Sequence, residues 1–287
     1  ERSPSGIANY DLGSFAKELA QRNIKAQALN LAELGSIPDN SALLVLAAPR
    51  VPLLPGELQL IQTYIKQGGN VLLLTDPDDK HLSLIEQQLG IHKLPGTVVD
   101  TSSKLYGIDD PSFVLVSQYP RHPITQGMEN ITVYPVTAAL AVDKNSAFRA
   151  TAILSSIPKS WTETSEINGE IRFNPNTQEQ QGPLPIGYAL TREIKDKNQQ
   201  RIVVMGDGDF LSNTFLGNVG NMDMGMRIFN WLTHDDQFID VPIKQAKGKS
   251  LQLSPVAIGV IGFGFLIILP LGLMGAGFWI WRSRKRR

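Results

Sequence analysis

The spacing of apolar residues changes several times along the chain, and each change predicts a different kind of element. Within Tyr10–Asn23, Leu12, Phe15, Ala16 and Leu19 recur at helical spacing, which predicts an amphipathic helix capped by Asp11. A strand is predicted next, near residues 24–31. Residues 42–49 form a short unbroken apolar run closed by Pro49, the pattern of a strand covered on both faces and therefore central in a sheet. Pro55 suits the first turn of the following helix; Leu58, Ile61 and Ile65 line one face of it, and Gly68 and Gly69 supply its stop. A second buried strand follows within residues 70–77. Two such strands around one helix predict a parallel crossover unit with helices on both faces of the sheet. A further helix ends at Gly90.

From about residue 97 to 195 the pattern shortens to alternating segments divided by turn-rich stretches, which predicts a β-rich insertion with an exposed loop near residues 168–185. Arg201–Met205 and a helix near residues 221–234 restore the longer pattern, with Met222, Met226, Phe229 and Leu232 placed to face the sheet. The predicted fold class is α/β: a doubly wound, mostly parallel sheet over residues 1–243, carrying that insertion.

Beyond a linker at residues 244–254, the stretch Val256–Trp281 carries no charge. As a helix at ~1.5 Å per residue it would be roughly 39 Å long, enough for a ~30 Å hydrocarbon layer, so one transmembrane helix is predicted over residues 255–281. Arg282, Arg284, Lys285, Arg286 and Arg287 then form a basic tail that favours a cytoplasmic C-terminus, and Phe278, Trp279 and Trp281 suit the interface. Gly272 and Ala276 are a small-xxx-small pair through which another helix could approach.

Composition narrows the function classes. Lysine plus arginine (27) balances aspartate plus glutamate (27), so no global field draws the chain to nucleic acid. There is no cysteine, which removes disulfides, thiolate metal sites and cysteine nucleophiles and suits an oxidising compartment. The sequence opens on Glu1 rather than methionine, which predicts a missing upstream piece.

Candidate chemistry concentrates where parallel strands end, because ligands of such sheets meet the carboxyl ends of the strands. Asp76, Asp207 and Asp209 all fall there, and converging carboxylates are what a magnesium or calcium ion requires. The structural alternative gives Asp76 a turn before Pro77, and gives Asp207 and Asp209 capping roles; it is the reading preferred here. Phosphate chemistry lacks its cradle, because Lys247–Ser250 has neither the earlier glycine nor a strand–helix context. No GxGxxG or GxSxG motif follows a strand, and His81, His92, His122 and His234 are too scattered for a metal motif, His122 reading as a surface turn residue. No cofactor and no catalytic residue is predicted.

Residues 43–77, "YPRHPIT" at residues 119–125, and "RIVVMGDGDFLSN" at residues 201–213 followed by "FNWL" together resemble the auxiliary membrane proteins of ABC transporters, the GldG type associated with gliding motility. The resemblance covers nearly the whole chain. It implies a bacterial inner-membrane protein whose extracytoplasmic domain is similar to class I glutamine amidotransferases in fold and stands beside a permease and a cytoplasmic ATPase. It also implies a glycine-rich strand and a further domain upstream of Glu1. The amidotransferase nucleophile is a cysteine, so that chemistry does not carry over, and "GDGDF" becomes a signature that ends a strand and shapes the next turn. The leading expectation is a non-enzymatic auxiliary subunit held in the lipid bilayer. Its rivals are an anchored hydrolase or ligand-binding enzyme using Asp76, Asp207 and Asp209 with a divalent ion, and an envelope scaffold.

Overall fold

The computed structural model describes residues 2–168, 171–194, 199–234 and 269–285. The chain divides into two units, Glu1–Val241 and Pro242–Arg287. In chain order the first contains α1 (Gly13–Gln21), α2 (Leu31–Leu34), β1 (Leu44–Ala47), α3 (Pro55–Lys66), β2 (Val71–Leu74), α4 (Ser83–Leu89), β3 (Ile91–Lys93) and β4 (Thr97–Val99). A 3-10 turn (Thr101–Tyr106) leads to β5 (Val114–Val116), β6 (Thr132–Tyr134), β7 (Leu140–Val142), β8 (Arg149–Ser155) and β9 (Trp161–Glu163). The long strands β10 (Pro185–Glu193) and β11 (Gln199–Met205) and the helix α5 (Asn221–Leu232) complete it.

The main sheet has the order β1-β2-β11-β10-β8. β1 and β11 flank β2 in parallel, Leu44 and Ile202 both standing opposite Val71. β10 is antiparallel to both β11 and β8. Three separate two-stranded ladders, β3–β7, β4–β9 and β5–β6, are antiparallel as well. Among the described residues antiparallel pairings therefore outnumber the two parallel ones, which overturns the doubly wound, mostly parallel, amidotransferase-like sheet expected from the sequence. The reason is physical: β10 and β11 are joined by a short connection, too short for the crossover that parallel neighbours need.

The pleat of β2 and β11 sends alternate residues to two cores. Leu72, Leu74, Val203 and Met205 pack with Phe15 and Leu19 of α1 and Phe229 and Leu232 of α5. Val71, Leu73, Ile202 and Val204 pack with Ile61 and Ile65 of α3 and Ile85 and Leu89 of α4. Two faces buried at once explain why these strands read as continuous apolar runs. β1 is an edge strand rather than the central one expected, because the strand expected near residues 24–31 does not form. Ile24 joins the first core and Leu29 the second while residues 25–28 are exposed, so this segment steps across between the two faces without forming a ladder. Asp11 does not cap α1 either; Leu12 holds that position without a side-chain bond.

The second unit contributes the helix α6 (Leu269–Arg284). The 16 residues of this described stretch give roughly 24 Å at ~1.5 Å per residue. Among the described residues no helix is long and apolar enough to cross a membrane, which corrects the predicted transmembrane helix. The first part of that prediction (255–268), the linker (244–254), and Arg286 and Arg287 lie outside the described residues.

Candidate functional site

Three parallel strands end side by side, and the residues just past them make a charged cluster. β2 ends at Leu74 and leads through Thr75 to Asp76; β11 ends at Met205 and leads into Gly206-Asp207-Gly208-Asp209; β1 leads into Ala48. The structure thus brings together Asp76, Asp207 and Asp209. It adds a residue that sequence reasoning missed: the Arg2 guanidinium lies among them, with Nη1 donating to Asp209 Oδ1 and Nη2 donating to Asp76 Oδ2 at 3.2 Å. The Arg2 side chain is 3% exposed, against 31% for Asp76 and 30% for Asp209. No local motif could have announced Arg2, because 207 positions separate it from Asp209.

Backbone donors fix the carboxylates. Gly208 N–H donates to Asp76 Oδ1 at 2.7 Å. Asp207 is fully buried; its Oδ1 accepts from the N–H groups of Asp209 (2.7 Å) and Phe210 (2.8 Å), and its Oδ2 from Val136 N–H at 3.3 Å. Asp207 is therefore the cap of the turn after β11, as the structural alternative anticipates. The glycines of "GDGD" are required by close approach: a Cβ on Gly206 would strike the Ala138 carbonyl oxygen, and one on Gly208 would lie 2.7 Å from Ala48 Cβ. Ala48 adopts a positive φ of 41°, unusual for a residue with a side chain.

Burial dominates the electrostatics. It pushes the Asp207 pKa well above the usual carboxylate range. It also raises that of Asp76, against the opposing pull of the Gly208 N–H and of Arg2, since one guanidinium is shared among several acids. For Arg2 itself burial works downward, but the Asp209 hydrogen bond and the charges of Asp209, Asp76 and Asp207 prevail and raise its pKa. The result is a cationic guanidinium beside two acids, Asp76 and Asp207, that burial holds back from ionisation. Among the described residues no group of three or more His, Cys, Asp and Glu side chains is arranged to hold a metal ion; the cation standing between these carboxylates belongs to Arg2.

Beside this cluster lies a second network. Lys93 Nζ reaches Glu86 Oε1 and Thr75 Oγ1, each at 2.9 Å, and also the Asp79 carbonyl oxygen. Thr75, fully buried, donates to Glu86 Oε1 at 2.9 Å, so it offers no accessible nucleophile. The network anchors the turn that carries Asp76. The histidines remain dispersed: His92 pairs with Asp143, and half-buried His122 meets the ring of Trp231 edge-on at 5.2 Å. Gly272 and Ala276 both lie in α6 of the second unit, where Ala276 is exposed.

No curated protein matches the chain in sequence. Among solved structures it is similar to the mmIFT52 N-terminal domain, at 22% identity and a TM-score of 0.57 over 77% of this chain and 90% of that one. That likeness speaks to the fold alone. The cytoplasmic protein STM1381 from Salmonella typhimurium LT2 aligns at 12% identity with a TM-score of 0.40, over 80% of this chain and 87% of that one. A family model described as ABC-type uncharacterized transport system matches residues 4–228, most of the first unit including Asp76, Asp207 and Asp209, and the chain belongs to that family of auxiliary transport-system proteins.

Proposed function

We propose that this chain is a non-enzymatic auxiliary subunit of an ABC transport system of the GldG type, working beside a separate permease and ATPase. The family match over residues 4–228 carries the reading. The sequence supports it by lacking a nucleotide cradle, so that the energy for transport comes from another subunit. The strand-end cluster supports it too: its carboxylates are occupied with backbone N–H groups and with Arg2, an arrangement that ties the ends of β2 and β11 together. In this reading the protein belongs to the inner membrane of a bacterium, with the first unit on the extracytoplasmic side.

Affinity purification from the native membrane in mild detergent, with identification of everything retained, tests the assignment. A permease and an ATPase are expected in stoichiometric yield; a clean single species would overturn it. Protease added to sealed cells tests the side: the first unit is expected to be cut without permeabilisation, and protection in sealed cells with cleavage in permeabilised ones would refute the extracytoplasmic placement.

A further inference from the structure

We infer that residues 2–11 form a strap over the strand ends that opens and closes as one unit, with Arg2 as its latch and its hinge at the start of α1. The inference stands on the geometry of this segment and does not require the transport assignment.

The strap is separable because no apolar side chain holds it. Among the described residues neither core takes a side chain from residues 2–11, and the larger apolar groups there face water, Ile7 at 93% and Tyr10 at 44% exposed. The chain enters the first core only at Leu12, followed by Phe15 and Leu19 of α1. A segment with so little buried apolar surface opens at a lower free energy than the sheet behind it.

The strap moves as a unit because Asp11 gathers it. Ser3 N–H donates to Asp11 Oδ1 at 2.9 Å and Ala8 N–H to Asp11 Oδ2 at 3.0 Å. The Ser3 carbonyl in turn accepts from the N–H groups of Gly6 (3.3 Å) and Leu12 (3.0 Å).

Polar contacts fasten this unit to the body of the domain. Arg2 reaches Asp209 and Asp76, and Arg50 lies over the Tyr10 ring at 5.1 Å. Asn213 Nδ2 donates to the carbonyls of Gly6 (3.2 Å) and Ala8 (2.8 Å). Asn213 N–H donates to the Asp11 carbonyl at 2.8 Å and Thr214 N–H to that of Asn9 at 3.1 Å. The stretch Arg201–Asn213 thus supplies two fastenings, Asp209 and Asn213, a role distinct from the capping by Asp207. Arg2 is the latch because its bonds are the charged ones. Its closed position is incompletely satisfied, since Nε is buried with no hydrogen-bond partner, a cost that opening relieves. Opening withdraws the guanidinium from Asp76 and Asp209 and bares the ends of β2 and β11, the edge at which parallel strands meet ligands.

Amide hydrogen exchange of the full-length protein tests this, in wild type and in Arg2→Gln. In wild type the N–H groups of Ser3, Ala8 and Asp11 should exchange together, faster than those of β2 and β11. Asn213 and Thr214, whose N–H groups end on strap carbonyls, should exchange with them although they belong to the turn after β11. Removing the latch should speed all five by one common factor of roughly tenfold or more. Phe210 N–H, held by Asp207 within the turn, should be unaffected. If the glutamine protein fails to fold, Arg2→Lys keeps the charge but loses the fork, and should give a smaller common factor over the same five groups. Acceleration confined to Ser3 and Ala8 would show separate contacts in place of a strap, and equal acceleration of Phe210 and β2 would show that Arg2 supports the whole domain. Either result would overturn the inference, as would wild-type exchange of the five groups no faster than that of β2.

Discussion

Gly208 donates its backbone N–H to Asp76 Oδ1 at 2.7 Å, tying the turn after β11 to the end of β2 across 132 positions of sequence. The bond requires close approach, since a Cβ on Gly208 would stand 2.7 Å from Ala48 Cβ, 2.8 Å from Asp76 Oδ1 and 2.9 Å from Arg2 Nη2. Gly208→Ala is therefore expected to destabilise the domain by roughly 1–3 kcal/mol, the usual cost of overpacking. Gly56→Ala, at an α3 position with open space around it, should leave stability unchanged or slightly raised. Urea midpoints of the two variants check the contrast, and equal midpoints would contradict it.

Ala48 offers a second probe of the same junction. Its φ of 41° is costly for any residue with a Cβ, and the residue is buried. Ala48→Gly removes about 1 kcal/mol of backbone strain and loses about 0.8 kcal/mol of methyl burial, so a change below about 0.5 kcal/mol is expected. Ala48→Val adds bulk against Gly208 and a β-branched side chain at positive φ, and should cost more than about 2 kcal/mol. Chemical denaturation separates the outcomes; a valine variant as stable as wild type would remove the strain argument.

These junctions mark what could be read from sequence and what could not. The strands β1 and β2, the helix between them and the sheet-facing residues of α5 follow from apolar period alone, because period is a local property. Strand direction is not local in that sense. A buried strand gives the same alternation whichever way its neighbour runs, and the available clue was the short link between β10 and β11, which is the mark of an antiparallel pair. The failed strand near residues 24–31 shows the opposite limit: only Ile24 and Leu29 find a core, and two anchors do not fix a ladder. In the cluster, Asp76, Asp207 and Asp209 were visible as acids at strand ends. Arg2 was not, since its partners lie 74 and 207 positions away.

The Lys93–Glu86 pair is buried, with side chains 11% and 6% exposed. Removing one partner leaves the other charge without compensation, so Lys93→Met is expected to cost about 3–5 kcal/mol. Replacing both groups removes the desolvation penalty with the attraction, and Lys93→Met/Glu86→Leu should be closer to wild type than either single variant. The double-mutant cycle by urea denaturation measures the coupling. Additive losses would show that the pair contributes nothing beyond its separate packing.

Protonation distinguishes the strand-end cluster from the rest of the fold. Burial raises the folded pKa of Asp207 above its unfolded value of about 3.9, so the native state holds a proton that the unfolded state has released. Its stabilising contribution is fully present below about pH 3.9 and is lost as pH rises through the folded pKa. Half-buried His122 acts in the other direction. Burial, and then the charge of Arg201, lower its pKa from 6.5 to about 4. Its contribution is therefore present above about pH 6.5 and lost as pH falls toward about 4. Asp207→Asn keeps an acceptor for Asp209 and Phe210 but places an amide group against Val136 N–H, so it should be less stable than wild type in acid. Because the amide never ionises, that deficit should shrink steadily as pH rises. His122→Asn keeps an acceptor for Ile124 N–H, which His122 Nδ1 holds at 3.2 Å, and it should remove the acid-side loss between about pH 6.5 and 4. Unfolding free energies of the three proteins measured across pH 4–9 check both signs. An Asp207→Asn deficit that grows with pH would mean that the buried carboxylate is stabilised in its charged form, and that the Arg2 guanidinium serves Asp207 more than it serves Asp76 and Asp209.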